Sequence, residues 1–235
     1  MAQWEFKPLI PGYTNRNPIH GEFFAADAIS DPGMALVREG IQNSLDARRD
    51  GEPVLVRILF SDGENAAKPQ DVDPYFAGAW DHLHAADNGL HPDDLPQPDA
   101  TCPFFLFEDF GTTGLEGDPA QAFHSRNGAK NHFYYFFRAE GQSDKDATDR
   151  GRWGVGKQVF PRSSRISTVF GLTVRNSDGQ RLLMGKSVLL QHYVDESCPY
   201  QDGYFGKSST PENPLVMPCC EICVADGKLK RPDPG

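Results

Sequence analysis

The sequence has no run of 18 or more apolar residues, and residues 1–12 lack the charged-then-apolar pattern of a signal peptide. We therefore predict no membrane association and expect a cytoplasmic location. Basic residues are also in deficit, because 23 Lys and Arg stand against 33 Asp and Glu, giving a formal net charge of -10. Nonspecific nucleic-acid affinity comes largely from basic side chains, so direct nucleic-acid binding by this domain is disfavoured, although a local basic patch remains open.

Cysteine is scarce as well, with five residues in a chain of 235. Without an export signal, these are interpreted as reduced thiols rather than as a disulfide framework. Four of them lie near the end of the chain: Cys198, Cys219, Cys220 and Cys223. The last two have CxxC spacing and His192 lies upstream, so a zinc site is conceivable, but the second ligand pair is poorly spaced. The alternative is that these thiols are buried or idle.

What the sequence does contain is enough apolar residues, 38%, for one large domain with a core of its own. Asp31 and Pro32 are typical of a helix start, and the helix is expected to run to about Arg49. Apolar residues recur in it at spacings of three, four and four, which predicts that this stripe faces the core: Met34, Val37, Ile41 and Leu45.

Strand-like patterns follow at 53–60, at 104–107, and at 165–174 and 181–190, the last two joined by an Asp-Gly hairpin signal. The Asp- and Pro-rich stretch 61–102 is too long for an ordinary connection and is interpreted as an insertion, with a short helix from Asp73 to His84.

Three motifs carry the functional prediction. The first is Glu39-Gly-Ile-Gln-Asn43-Ser-Leu-Asp46-Ala47, which places Glu39, Asn43 and Asp46 on one polar face of the predicted helix, opposite the apolar stripe. Two carboxylates and an amide in this arrangement are suited to holding a water through a general base and to presenting an amide oxygen to Mg²⁺. The alternative is an ordinary solvated helix face.

The second motif, Asp109-Phe-Gly111-Thr-Thr-Gly114, directly follows the apolar strand at 104–107. A carboxylate there is a suitable acceptor for the amino group of adenine, and the glycines let backbone approach a flat ligand. The alternative is a glycine-rich turn with a capping aspartate.

The third motif is Gly151-Arg-Trp-Gly154-Val155-Gly156-Lys157, a GxxGxG stretch whose backbone amides are suited to wrapping phosphates. It also fits the P-loop pattern GxxxxGK. However, residue 158 is Gln where a P-loop has Ser or Thr, and the preceding residues 142–150 are too polar for the buried strand that a P-loop follows.

Taken in order, the three motifs resemble the nucleotide-binding boxes of the GHKL ATPases, the superfamily of gyrase, heat-shock chaperones, histidine kinases and MutL. The resemblance spans about residues 31–175 and is closest to the chaperone, MutL and MORC branch. It departs from the family pattern in two places: one extra residue separates Gly111 from Gly114, and Lys157 stands where many relatives have an apolar residue.

The resemblance implies an α+β fold of the Bergerat type, a two-layer sandwich with a mixed sheet and helices on one face that enclose ATP. Residues 1–190 would form the ATP-binding domain, with 61–102 as an insertion and 115–150 as a lid over the nucleotide. Residues 191–235 would be a tail or the start of a transducer or effector domain.

The resemblance also implies the role of each residue. Glu39 corresponds to the catalytic base, Asn43 to the magnesium ligand and Asp109 to the adenine-binding carboxylate. The remaining nucleotide-binding residues are Asp46, Gly111, Gly114, Gly151, Gly154, Val155, Gly156 and Lys157, of which Lys157 would also stabilise charge developing on the phosphate.

The expected activity is Mg-ATP hydrolysis that drives a conformational switch and homodimerisation on ATP binding, with the output in a downstream domain or partner. By analogy, the chain is expected to be the amino-terminal ATPase of a larger bacterial defence or DNA-processing protein. Two alternatives remain open: an ATP-sensing module without significant turnover, and a protein kinase-like phosphotransferase.

Overall fold

A computed structural model describes residues 2–12, 32–125, 129–139, 158–207 and 215–219. The described chain is α+β, as predicted. Its strands are β1 (Ala2–Pro8), β2 (Leu55–Ser61), β3 (Phe104–Phe110), β4 (Thr168–Val174), β5 (Arg181–Tyr193) and β6 (Pro199–Lys207). Its helices are α1 (Pro32–Asp46), α2 (Pro69–Phe76), α3 (Trp80–His84), α4 (His132–Phe137) and α5 (Val159–Arg162).

The larger sheet has four strands in the order β1-β6-β5-β4, and every pair in it is antiparallel. β4 and β5 form the hairpin that the sequence predicts, with Val174 opposite Arg181 and Gly179 in the left-handed region at φ 67°. The predicted domain boundary at residue 190 falls inside β5, and β6 lies between β5 and β1. Residues 199–207 therefore belong to the same sheet as the amino terminus.

The smaller sheet consists of β2 and β3, which are antiparallel with Leu55 opposite Phe110 and Ser61 opposite Phe104. Among the described residues the strands thus form two antiparallel sheets, whereas the resemblance implied one mixed sheet. Cross-strand partners in a sheet point to the same face. Phe107 and Asp109 therefore share a face with Ile58 and Val56, and helix α1 packs on that face.

The larger sheet is covered on both faces in the described part of the chain, instead of on one face as expected. Residues 182–189 of β5 are buried without interruption, although successive side chains point to opposite faces. Leu182 and Met184 pack against Phe133 and Phe137 of α4. The opposite face packs against the predicted insertion in a cluster of Trp4, Phe6, Phe76, Ala79, Leu83, Leu183, Leu189, Phe205 and Cys219.

The predicted insertion 61–102 is integrated into the fold by backbone contacts as well. The amide of Trp4 donates to the carbonyl of Ala77 at 2.8 Å, and its indole Nε1 donates to the carbonyl of Tyr75 at 2.7 Å. The amide of Leu190 on β5 donates to the carbonyl of Asn88 at 2.8 Å. This segment therefore forms one layer of the core, with two helices where the sequence predicted one.

The burial of α1 differs from the prediction. The stripe expected to face the core is exposed, at 65% for Met34, 36% for Val37, 37% for Ile41 and 55% for Leu45. The buried residues are Ala35, Leu36, Gly40 and Ser44. A Cβ at Gly40 would lie 2.7 Å from the ring of Phe107, so the absence of a side chain there allows helix and strand to approach closely. The buried face of α1 thus carries three small residues and one large apolar residue, Leu36, instead of the predicted stripe.

Candidate functional site

Helix α1 directs two polar residues of the first motif, Glu39 and Asn43, toward the protein. Successive residues of an α-helix are rotated by roughly 100°. Asn43 therefore lies on the same side of the helix as the buried Leu36 and Gly40, and Glu39 lies beside it. Both side chains are half-buried, while Asp46 is exposed in the last turn. The first motif is thus not a fully solvated helix face.

A hydrogen bond joins the first two motifs. Its partners, Ser44 and Asp109, lie 65 positions apart in the sequence. Ser44 follows Asn43 on α1 and is 1% exposed. Its Oγ lies 2.8 Å from Oδ2 of Asp109, the penultimate residue of β3. The Asp109 side chain is exposed, so one side of this carboxylate is held by the helix while the group stays accessible to a ligand.

The loop after β3 is fixed by backbone hydrogen bonds to the end of α1. The amide of Arg49 donates to the carbonyl of Gly111 at 2.9 Å, and the amide of Thr113 donates to the carbonyl of Ala47 at 2.9 Å. In this loop the hydroxyl of Thr112 donates to Oδ1 of Asp109 at 3.1 Å. The second motif is therefore anchored to the first by both backbone and side-chain contacts.

Both glycines of the second motif have left-handed backbone, with φ 76° at Gly111 and 73° at Gly114. A Cβ at Gly111 would lie 2.1 Å from the carbonyl oxygen of Pro53, and one at Gly114 would lie 2.4 Å from that of Val174. These glycines accommodate the protein's own backbone, which is a different reason for glycine from the predicted approach to a flat ligand.

The proposed base, Glu39, is paired with its neighbour in the sequence. Nε and one terminal nitrogen of Arg38 lie 3.1 Å and 2.9 Å from Oε1 of Glu39. The Arg38 side chain is 60% exposed, and exposed ion pairs contribute only about 0–1 kcal/mol. This pair therefore does not fix Glu39 strongly, and both contacts fall on a single carboxylate oxygen.

The third motif, residues 151–157, lies outside the described residues, and so do Gly151, Gly154, Val155, Gly156 and Lys157. The choice between a GHKL box and a P-loop at this position stays a prediction.

Sequence reasoning missed two residues of the site, Ser44 and Thr112, although both lie within the quoted motifs. The signal available for Ser44 was a small polar residue directly after Asn43.

The aromatic block of the predicted lid is part of the core. Phe133 and Phe137 on α4 are 0% and 1% exposed. Arg138, at the end of α4, donates from one terminal nitrogen to the carbonyls of Pro119 at 3.1 Å and Val216 at 2.9 Å. Burial lowers the pKa of this guanidinium below its usual range. Residues 132–138 are therefore packed in place, and residues 126–128 and 140–150 of the predicted lid lie outside the described residues.

The idea of a zinc site gains no support in the described part of the chain, which contains no group of three or more His, Cys, Asp or Glu side chains able to hold a metal ion. Both ring nitrogens of His192 are engaged, Nδ1 with the carbonyl oxygen of Leu190 and Nε2 with His82. Cys219 is buried and Cys198 half-buried, and neither forms a disulfide with another described cysteine. Cys220 and Cys223 lie outside the described residues.

No helix within the described ranges is long and apolar enough to cross a membrane. Comparison of the chain with protein-family models, with curated proteins and with solved structures returned no match.

Proposed function

We propose that this chain binds Mg-ATP between helix α1 and the end of β3 and hydrolyses it as a nucleotide-driven conformational and dimerisation switch of the GHKL type. The observation that carries the proposal is the contact of Ser44 with Asp109, because it brings the helix bearing Glu39 and Asn43 against the carboxylate of the second motif. Neither alternative interpretation, a solvated helix face or a glycine-rich turn with a capping aspartate, requires this contact.

Each residue then has a role that its chemistry supports. The exposed carboxylate of Asp109 accepts a hydrogen bond from the amino group of adenine. The amide oxygen of Asn43 is a hard donor of the kind that Mg²⁺ takes, and Mg²⁺ needs only one or two protein ligands when phosphates supply others. When bound, Mg²⁺ neutralises charge on the phosphates. Glu39 orients and deprotonates the attacking water. Asp46, in the last turn of α1, adds a second carboxylate to the nucleotide-binding face formed by Glu39 and Asn43.

The proposal extends to the residues beyond the described ranges. Gly151, Gly154, Val155 and Gly156 wrap the phosphates with backbone amides, and Lys157 stabilises the charge that develops on the γ-phosphate. Nucleotide binding closes the predicted lid and promotes a homodimer, whose signal passes to a downstream domain or partner in bacterial defence or DNA processing.

One observation favours a second candidate, an ATP-sensing module without significant turnover. The ion pair with Arg38 occupies Oε1 of Glu39, so this carboxylate is not wholly directed at a water. A pair of about 0–1 kcal/mol is easily broken, however, and turnover remains the first proposal. A phosphotransferase would be recognised by transfer of label from ATP to protein, which water attack does not produce.

Calorimetry and turnover assays with two carboxylate variants test the proposal. Asp109→Ala should weaken ATP binding by about 5- to 150-fold, because the bound amino group would lose its acceptor at a cost of roughly 1–3 kcal/mol. Glu108→Ala is the matched control. It removes the adjacent carboxylate, which points to the opposite face of the sheet and pairs with Arg57, so ATP affinity should stay at the wild-type level.

Glu39→Gln should bind ATP and lower turnover by roughly two to four orders of magnitude, since it retains the shape of the side chain and removes the base. If the wild-type protein binds ATP but shows no measurable ATP turnover, the sensing module would be favoured. Unchanged ATP affinity in folded Asp109→Ala would remove Asp109 from the site. Light scattering with a nonhydrolysable ATP analogue, with and without DNA, tests the homodimer and the effect of nucleic acid.

A further inference from the structure

The sheet of β2 and β3 has one face that points away from helix α1. Successive side chains of a strand alternate between faces, and residues in register point the same way. Phe107 and Asp109 meet α1, so their neighbours in the strand lie on the other side. That side, the outer face, carries three cross-strand pairs in a row: Leu55 with Phe110, Arg57 with Glu108, and Leu59 with Leu106.

The outer face exposes leucine side chains at both of its ends. Leu55 is 57% exposed, Leu59 37% and Leu106 38%. Single exposed leucines are common on protein surfaces, but these three belong to neighbouring pairs on one face. Leu59 and Leu106 are directly opposite each other in the register, so their side chains form one continuous apolar surface. The outer face is thus apolar at its ends and carries one pair of opposite charges at its centre.

The central ion pair is held against the outer face and stays accessible. One terminal nitrogen of Arg57 lies 3.4 Å from Oε2 of Glu108, and the two side chains are 38% and 26% exposed. The guanidinium carbon of Arg57 also lies 5.5 Å from the centroid of the Phe110 ring. A guanidinium has five N–H donors and a carboxylate has two acceptor oxygens. This single contact therefore leaves capacity on both groups for a surface that presents a carboxylate to Arg57 and a cation to Glu108.

The outer face is complementary to a second copy of itself. Two sheets pack face to face about 10 Å apart, with strand directions within about 30° of each other. A two-fold axis between the sheets and parallel to the strands places each β2 residue of one copy opposite the β3 residue of the second copy that has the partner position in the register. Arg57 then meets Glu108 of the second copy, and Leu59 meets its Leu106. A two-fold axis across the strands would place Arg57 opposite Arg57, which repulsion between like charges disfavours.

We propose that the outer face is a two-fold symmetric interface with a second copy of this chain, in which the strands of the two sheets are aligned. The leucines supply the apolar contact, and the charges of Arg57 and Glu108 fix the direction of packing. A face of two short strands is smaller than a standard interface, so the dimer is expected at micromolar protein concentration. Asp109 and α1 lie on the other side of the sheet, so this interface is separate from the proposed nucleotide site and forms without nucleotide.

Sedimentation velocity without nucleotide, over a series of protein concentrations, tests this interface. Wild type should form a dimer. Leu59→Ala should weaken it about tenfold, because each dimer loses two leucine side chains from its apolar contact. Ile41→Ala is the matched control, since Ile41 is also 37% exposed but lies on α1, on the other side of the sheet. It should leave the dissociation constant within about twofold of wild type.

Two charge reversals test the packing independently of folding. Arg57→Glu puts two carboxylates on the outer face and Glu108→Arg puts two cations there, so each variant alone should be monomeric at concentrations where wild type is dimeric. An equimolar mixture should form a dimer with one chain of each variant, because every charge contact across the interface then joins opposite signs. Repulsion within each chain is the same in the mixture as in the separate variants, so association on mixing reports on the interface alone.

Wild type that stays monomeric up to millimolar concentration would overturn the inference. Equal weakening by Leu59→Ala and Ile41→Ala would overturn it as well, because the outer face would then have no special part in association. The same conclusion would follow if the two charge variants failed to associate on mixing. A dimer that forms only with an ATP analogue would support the nucleotide switch of the proposed function and would overturn this interface.

Discussion

The buried histidine pair His82 and His192 predicts that the protein loses stability in mild acid. His192 is 0% exposed, and its Nδ1 lies 2.8 Å from the carbonyl oxygen of Leu190. Because a carbonyl only accepts, Nδ1 carries the hydrogen and Nε2 of the neutral ring is an acceptor. Nδ1 of His82, at 2.8 Å, is therefore the donor to Nε2. The His82 ring also stacks on Phe6 at 3.8 Å, so the pair connects α3, β1 and β5.

Protonation of this pair is unfavourable in the folded protein. Burial, with the neighbouring His192 as the next cause and Asp81 opposing, lowers the pKa of His82 from 6.5 to about 4. Burial also lowers the pKa of His192, against the opposing effect of the Leu190 carbonyl. A folded-state pKa below the unfolded one means that the unfolded chain binds more protons in this interval. Stability is therefore lost as pH falls below about 6.5, and the loss from His82 levels off near pH 4.

The size of the effect follows from the interval of about 2.5 pH units between 6.5 and 4 for His82. At about 1.36 kcal/mol per unit, the upper limit is about 3 kcal/mol. His82 is only partly buried, so solvent screening reduces the expected loss to about 1–2 kcal/mol. That is a large part of the stability of an ordinary domain.

Urea denaturation between pH 7.5 and pH 4.5 measures this loss. His82→Gln retains a donor for His192 but does not titrate, so its free energy of unfolding should fall less steeply with pH than that of wild type. His84→Gln, at an exposed position on the same helix, is the control and should follow the wild-type profile. Parallel profiles for wild type and His82→Gln would refute the assignment of acid sensitivity to this pair.

Three further outcomes are expected. Gly40→Ala should cost about 1–3 kcal/mol in urea denaturation because its Cβ would lie 2.7 Å from Phe107, and adding Phe107→Leu should recover part of that loss; additive costs would contradict the contact. Amides of His132–Phe137 should resist hydrogen exchange without nucleotide, since Phe133 and Phe137 are buried, whereas exchange as fast as in an exposed loop would restore the lid assignment. Arg38→Ala should change kcat for ATP less than about threefold, as an exposed ion pair contributes little, and a hundredfold loss would assign Arg38 to the chemistry.

The sequence by itself determined the local features of this protein. Local signals predicted three features: the start of β3, the hairpin between β4 and β5, and the body of α1. These signals are periodicity, turn residues and capping residues, each of which involves residues only a few positions apart. That α1 and the end of β3 form one site was an expectation from the resemblance of the first two motifs to the GHKL boxes. The strand, the hairpin and the helix depend on interactions that are short in sequence.

Only the tertiary structure decided which faces are buried and what meets across the sheets. The apolar stripe of α1 predicted the wrong buried face, because the close approach of Gly40 to Phe107 buries the side that carries Leu36 and three small residues. The aromatic block of α4 resembled a mobile segment in composition, yet Leu182 and Met184 of a distant strand enclose it. The contact of Ser44 with Asp109 joins residues 65 positions apart, and no local pattern encodes such a contact because its partners are adjacent only after the chain has packed.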